Sequence, residues 1–141
     1  MSKLATIVTL TSFIAATPTL AQTAVPDLRG TWKGESETII LGGGNPHHAA
    51  PPATAPRLNS VPFTLTIDKQ DGRRFSGTLS SPSVTETVIA VISHSGTIYM
   101  VDDDGYVLAT MLSPNRLEVC YLLQSPSARI ASCTEFTKVK A

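Results

Sequence analysis

Two adjacent histidines, His47 and His48, are the first candidates for metal chemistry in the sequence, and they lie in a segment rich in glycine and proline. Imidazole nitrogen is a common ligand of zinc, copper and nickel, so the pair is a candidate metal site. One site rarely uses both of two adjacent histidines, and a third ligand is needed. His94, the remaining one of three histidines, is the candidate. A solvated polar loop is the alternative interpretation of the same residues.

A run of aspartates precedes a glycine and could be read as a calcium loop. Such a loop needs an acidic ligand two positions before Asp102, and Met100 stands there. A hairpin turn explains the run from Asp102 to Gly105 better.

Glu118 and Glu135 could in principle form the carboxylate pair of an acid–base mechanism. Their predicted register places both outside the sheet's buried face, where solvation keeps both ionised. The sequence contains no Gly-x-Ser-x-Gly motif and no comparable setting for a nucleophile. We therefore expect no catalytic residues and no cofactor, and predict that the chain is not an enzyme.

The two cysteines, Cys120 and Cys133, predict a disulfide. Two thiolates alone make a poor structural zinc site, and the Cys-x-x-Cys spacing of redox pairs is absent. A hairpin turn centred between Pro126 and Ser127 places the cysteines opposite each other on adjacent strands, close enough to bridge. The same register faces the two glutamates named above toward each other, which requires nearby cations or a bulge.

The N-terminus is typical of a secretory signal. Lys3 supplies a positive charge, Leu4 to Ala16 are mainly apolar, and Ala21 ends a small-residue cleavage site. The apolar run is too short to cross a bilayer. We expect residues 1–21 to be a signal peptide and residues 22–141 to be one periplasmic or secreted domain, where oxidising conditions favour the disulfide. A buried N-terminal helix is the alternative.

The charge of the expected mature chain excludes two classes of partner. Without Lys3 the chain has ten Lys and Arg against eleven Asp and Glu, a net charge of −1. No stripe or run of basic side chains is present, which argues against nucleic acid and against an anionic membrane surface.

Turn residues recur about every 8–12 positions, the spacing of an all-β sandwich or barrel. Asp71-Gly72 is the strongest hairpin signal. The segment from Asn45 to Ser60 contains four prolines and is expected to form a loop without regular structure over one mouth. Eight strands are predicted, at Leu28–Leu41, Val61–Lys69, Arg73–Ser80, Val84–Ser93, Thr97–Asp102, Tyr106–Leu112, Arg116–Leu123 and Arg129–Val139.

Eight strands joined mostly by short turns predict an antiparallel meander. An open meander leaves two unpaired edges, and closure removes them. A two-sheet sandwich is the alternative, but sandwiches usually need long crossover connections. The predicted fold class is therefore all-β, an eight-stranded antiparallel up-and-down β-barrel, which has space for packed side chains or one small ligand.

The residues Gly30-Thr31-Trp32 open the first predicted strand. They resemble the Gly-x-Trp signature of the calycin barrels, which include lipocalins and the avidin family, and they match the avidin-type opening residue for residue. The resemblance implies that Trp32 closes one end of the barrel, packed against a basic residue near the C-terminus. Lys138 and Lys140 are the candidates for that residue.

The sequence thus predicts an exported calycin-like binding module for a small apolar or amphipathic ligand. The residues expected to line its interior or mouth are Trp32, Phe63, Tyr99, Tyr121 and Phe136. The alternative is a barrel that binds an exported protein partner and holds no small ligand. The small barrel inhibitors of bacterial metalloproteases, which the overall plan also resembles, are of that kind.

Overall fold

The computed structural model describes residues 24–49 and 51–140, which form nine β-strands. The expected signal peptide lies outside the described residues. The strands are β1 (Gly30–Gly42), β2 (Ala53–Asn59), β3 (Pro62–Asp71), β4 (Arg74–Ser80), β5 (Thr85–Ile92), β6 (Ile98–Val101), β7 (Tyr106–Ser113), β8 (Arg116–Gln124) and β9 (Ala128–Lys138). Within the described residues, no helix has the length and hydrophobicity that crossing a membrane requires.

Eight of these strands close into an antiparallel up-and-down barrel, which confirms the predicted fold class. From β3 to β9 each strand pairs with the next one along the chain, and β1 pairs with both β3 and β9. Trp32 on β1, for example, lies opposite Leu65 on one side and Lys138 on the other. This double pairing of β1 closes the ring and leaves none of the eight strands with a fully unpaired edge.

The prediction that Asn45 to Ser60 lacks regular structure is wrong in its second half, because Ala53–Asn59 forms β2. β1 is 13 residues long, so its first half pairs with β3 and its second half, from Thr38 to Gly42, pairs with β2. Pro56 lies within β2, where it is tolerated because β2 has a single partner among the described residues and its other edge makes no ladder.

The core fills the barrel because alternate residues of every barrel strand point inward. Aromatic side chains occupy both ends of this interior, and aliphatic side chains fill the layers between them. The principal members of the core are Leu28, Trp32, Phe63, Leu65, Ile67, Phe75, Leu79, Val88, Ile92, Ile98, Met100, Val107, Leu117, Val119 and Phe136.

The predicted disulfide is present and lies on the outer face. Cys120 on β8 faces Cys133 on β9 with their Cα atoms 4.1 Å apart. The same register faces Glu118 toward Glu135, and Arg116 relieves their repulsion by donating from Nε to Glu135 Oε1 at 2.6 Å. Of the two expected solutions, a nearby cation or a bulge, the protein uses the cation.

The outer face of β5 to β8 carries a continuous apolar surface. Its side chains are neighbours across the strands, since Ile89 lies opposite Val101 and Tyr106 lies opposite Leu122. The members of this outer apolar face are between 38% and 79% exposed, and they are Ile89, Val91, Tyr99, Val101, Tyr106, Leu108 and Leu122.

Candidate functional site

The two ends of the barrel differ in how they are covered. At one end, which we call the mouth, β1, β4, β6 and β8 finish and β3, β5, β7 and β9 begin. Residues 43–49, which follow β1, lie across this end, and we call them the mouth segment. At the other end, the closed end, residues 24–29 approach the barrel before β1 begins.

The mouth segment begins with a sharp change of direction at Gly42. This residue has a φ of +87°, and a Cβ there would lie 2.3 Å from the carbonyl oxygen of Ser127, so only glycine fits. Arg57 on β2 then closes the base of the connection by donating to the carbonyl oxygens of Gly42 and Pro51. Asn45 Nδ2 donates to the hydroxyl of Tyr121 at 3.2 Å, which places the segment over the barrel interior.

A chain of hydrogen bonds fixes the tautomer of His47 on this segment. Ser83 Oγ donates to the carbonyl oxygen of Pro46 at 2.8 Å. Because a hydroxyl has one proton, Ser83 must accept from Ser81 Oγ at 3.0 Å, and Ser81 must accept from His47 Nδ1 at 2.9 Å. Nδ1 therefore carries a proton, and neutral His47 presents Nε2 as an acceptor without a proton.

Nε2 of His47 faces the carboxylate of Glu86. Glu86 lies on β5 in phase with Val88, so its side chain points inward and the residue is only 5% exposed. His47 Nε2 and Glu86 Oε2 are 3.2 Å apart, yet neither atom has a hydrogen-bond partner. Burial raises the pKa of Glu86; His47 opposes this rise, and the charges of Asp104 and Asp102 add to it.

Two aspartates from the β6–β7 turn lie beside Glu86. Carboxylate oxygens of Glu86, Asp102 and Asp104 all lie within 4.8 Å of one another. Asp102 Oδ1 accepts from the backbone N–H of Gly105 at 2.8 Å, so the run is a turn, as predicted. Tyr121 donates to Asp104 Oδ1 at 2.8 Å, and burial together with this hydrogen bond raises the pKa of Tyr121.

His48 is buried next to His47 and contacts the same aromatic ring. Its ring meets Phe63 edge-on with centroids 5.6 Å apart, and the ring of His47 does so at 5.1 Å. Its backbone N–H donates to Asn45 Oδ1 at 2.7 Å, but its Nδ1 has no hydrogen-bond partner. Burial, with a smaller contribution from His47, lowers the pKa of His48 to about 4.

A small cavity lies beneath the mouth segment. Its volume is about 30 Å³, which is room for one or two water molecules. Polar groups of β1 and β9 form part of its surroundings, and Thr38 Oγ1 and Ser132 Oγ share a hydrogen bond of 2.7 Å there. The lining residues are Asn45, His47, His48, Phe63, Leu79, Asp102, Val107, Val119, Tyr121, Ser132, Thr134 and Phe136.

The closed end is sealed by Trp32. The indole is fully buried, and its Nε1 donates to the carbonyl oxygen of Leu28 at 2.9 Å. Lys138 lies with Nζ 5.1 Å from the ring centroid, in the position that the resemblance implies for a basic residue. Gln70 donates to the carbonyl oxygen of Pro26 at 2.7 Å and accepts from the N–H of Leu28 at 2.8 Å, which fixes the approaching chain.

The structure brings together three of the five residues expected to line the interior or mouth. Phe63, Tyr121 and Phe136 line the mouth cavity, whereas Trp32 lies at the closed end. Tyr99 is misplaced in the prediction: it is 51% exposed on the outer face of β6. Both faces of that strand are apolar, so alternation alone did not distinguish inside from outside.

The histidines are also only partly brought together. His47 and His48 both lie in the mouth, but His94 is exposed in the β5–β6 turn at the closed end and is wrong as their third partner. The sequence analysis missed Glu86. Its signal was present, since this acidic residue falls in phase with Val88 and Ile92 on the inward face of a predicted strand.

The fold and the site together define the chain as an eight-stranded up-and-down barrel with one sealed end and one polar, covered mouth. No protein-family model and no curated protein matches the sequence. A solved structure, that of the S-type phycobiliprotein lyase CPES from Guillardia theta, is similar in fold. The match covers 81% of this chain and 89% of that chain, with 13% sequence identity and a TM-score of 0.37.

This comparison corrects one expectation. The similar structure is that of a lyase, and the prediction that the chain is not an enzyme is wrong. Neither a barrel fold nor the absence of a nucleophile motif excludes catalysis. Membership of the calycins, which the Gly-Thr-Trp opening implies, stays a prediction.

Proposed function

We propose that the chain is an exported barrel that binds a small amphipathic ligand beneath the mouth segment. The observation that carries this proposal is the composition of the mouth cavity. Apolar walls from Phe63, Val119 and Phe136 face unpartnered or weakly partnered polar groups of the mouth. Such a combination of apolar surface with a few converging polar groups is typical of small-molecule sites.

Ligand entry requires the mouth segment to move. The cavity of about 30 Å³ is far smaller than the roughly 300 Å³ of the smaller ligand pockets. The mouth segment is held by side-chain contacts and isolated hydrogen bonds rather than by strand pairing, for example Gly43 N to Ser127 O at 2.9 Å. Its displacement would therefore leave the barrel ladder intact and open the cavity to its full width.

Native mass spectrometry of the protein isolated from its own host tests this proposal. We expect a non-covalent additional mass that is retained by the wild-type protein. Val119→Phe fills the cavity and should remove that mass, whereas the matched change Val91→Phe on the outer face should leave it. The absence of any additional mass, or its equal retention in Val119→Phe, would overturn the proposal.

The outer apolar face favours a second candidate function, self-association with a second copy of the chain. Its seven residues are neighbours, each between 38% and 79% exposed, and a continuous exposed apolar surface of this kind is typical of protein–protein interfaces. Sedimentation velocity should show a dimer, and Tyr106→Asp should dissociate it. The control Thr110→Asp, on the same outer side of β7, should reduce the fraction of dimer less. A monomer at all concentrations tested would exclude this function.

A further inference from the structure

His47 Nε2 and Glu86 Oε2 face each other in the mouth at 3.2 Å without hydrogen-bond geometry, and both are acceptors when His47 is neutral and Glu86 is ionised. In the serine chain described above, the Nδ1–H of His47 donates a hydrogen bond to Ser81 Oγ. Neutral His47 therefore has only a lone pair at Nε2. The atom that it faces, Glu86 Oε2, is also an acceptor when the carboxylate is ionised. Both residues are more than nine-tenths buried, and both atoms lack a hydrogen-bond partner.

Within the described residues, no Lys or Arg side chain forms an ion pair with the carboxylates around this pair. Asp102 and Asp104 bring their carboxylate oxygens within 4.8 Å of that of Glu86. The arginine side chains that form ion pairs in the described part of the chain pair with aspartate or glutamate residues elsewhere. Three carboxylates thus lie together, and one of them, that of Glu86, faces Nε2 of His47. A cation between them would stabilise the carboxylates and the lone pair of neutral His47.

We propose that the mouth binds a divalent transition-metal cation through His47 Nε2 and the carboxylates of Glu86, Asp102 and Asp104. Two ligands of one tetrahedral zinc ion, each at about 2.0–2.1 Å, are separated by about 3.3 Å. The observed separation of His47 Nε2 and Glu86 Oε2 is 3.2 Å, which matches this value, although the pair lacks hydrogen-bond geometry.

The surroundings of the four donors also fit a metal site. A metal-bound histidine usually donates its other ring N–H to a neighbouring group that fixes its orientation, and Ser81 accepts this bond from His47. Tyr121 holds Asp104 in the same way. One imidazole nitrogen with three carboxylates is a mixed nitrogen and oxygen donor set, which suits zinc or manganese better than the all-oxygen set that calcium prefers.

The cation would also fasten the mouth segment. His47 belongs to that segment, Glu86 to β5, and the two aspartates to the β6–β7 turn, so one ion would join three separate parts of the mouth. In this way the cation would control access to the cavity beneath. This consequence rests on the proposed ligand-binding function, whereas the cation site itself does not.

Isothermal titration of the tag-free, chelator-treated protein with zinc chloride tests the site. We expect one zinc ion per chain and a rise in the melting temperature. Glu86→Gln and His47→Gln should each weaken zinc binding by at least about tenfold. Asp103→Asn, in the same turn but exposed and without a role in the cluster, and His94→Ala, at the closed end, serve as matched controls and should bind zinc as the wild type does.

Absence of zinc and manganese binding to the wild-type protein would overturn the proposal and would mean that a proton alone separates His47 from Glu86. Equal zinc binding by wild type, Glu86→Gln and His47→Gln would also overturn it. X-ray absorption of the zinc-loaded wild type should show nitrogen and oxygen neighbours only, and this measurement decides the matter if a variant does not fold. If the wild-type protein carries no additional mass in the ligand experiment but still binds zinc, the proposed function is rejected and the cation site is not.

Discussion

The closed end and the mouth of the barrel differ in whether their buried polar atoms have hydrogen-bond partners. At the closed end the buried indole N–H of Trp32 has its acceptor, and the chain that approaches β1 is fixed through Gln70. At the mouth lie all four of the buried side-chain atoms without a hydrogen-bond partner in the described residues. These atoms are His47 Nε2, His48 Nδ1, Arg57 Nε and Glu86 Oε2.

An unpartnered buried polar atom lowers the free energy of unfolding by about 1–3 kcal/mol, so four of them at one end destabilise a domain of this size considerably. Such a cost is common where a site is arranged for chemistry or binding rather than for stability. The closed end therefore contributes mainly to stability, whereas the mouth is the end at which we propose binding, and the two ends should respond differently to substitution, acid and reduction.

The largest expected effect is at the closed end. Trp32→Ala removes a fully buried indole and its hydrogen bond, and should lower the free energy of unfolding by about 3–5 kcal/mol. Urea denaturation followed by circular dichroism measures this change. Asn45→Ala in the mouth segment should cost far less. A similar loss for both variants would contradict the assignment of stability to the closed end.

Acidification should affect the mouth. The folded-state pKa of His48 is lowered from 6.5 to about 4, so His48 contributes stability above pH 6.5 that is lost as the pH falls toward 4. The loss should reach at most about 3 kcal/mol. Glu86 titrates with the opposite sign because its pKa is raised, so the measurement is best made on chelator-treated Glu86→Gln. Adding His48→Gln should flatten the profile, and an unchanged slope would reject this origin.

The disulfide should have an intermediate effect that both ends share, because the β8–β9 hairpin runs from the mouth to the closed end. Cys120→Ser should lower the free energy of unfolding by up to about 3 kcal/mol, and the existing hairpin turn reduces this value. The β signature in circular dichroism should persist. Two reactive thiols per chain in the denatured, unreduced wild type would show that the bridge does not form.

The smallest expected effect tests the cation over the indole. Lys138→Met keeps the apolar stem of the side chain but removes the ammonium group above Trp32, and should lower stability by about 0.5–1 kcal/mol. Thermal unfolding measures it, with Lys140→Met as the control. The same ammonium donates to the carbonyl oxygen of Asp27 at 3.2 Å, and a loss of more than about 2 kcal/mol would mean that it contributes more than these two exposed contacts.

The barrel could be predicted from the sequence because apolar and polar residues alternate along its strands and because glycine, proline and aspartate mark its turns. Asp71-Gly72 and the pairing of Cys120 with Cys133 are local features, and local features follow from short stretches of sequence. β2 was not predicted because the four prolines between Asn45 and Ser60 indicated an irregular loop. Three of them, at positions 46, 51 and 52, lie before the strand rather than in it.

The site was less predictable for a different reason. His47, Glu86 and Asp104 come from the mouth segment, from β5 and from the β6–β7 turn. They are far apart in the sequence, so no local pattern predicts that they lie close together. Their meeting follows from the closure of the ring, which brings alternate turns to the same end. Tyr99 shows the same limit, since the two sides of β6 are equally apolar and only the closed barrel distinguishes them.

β2 leaves the otherwise closed ring with one strand edge that has no partner among the described residues. Such an edge is a template on which another chain can add a strand, and repeated addition leads to aggregation. β2 limits this hazard through its own sequence. Pro56 has no N–H to offer, the pairing with β1 is irregular between Ile40 and Gly42, and Arg57 brings a charge to the strand. The free edge is thus interrupted at its centre, which reduces its capacity to pair with a strand of another chain.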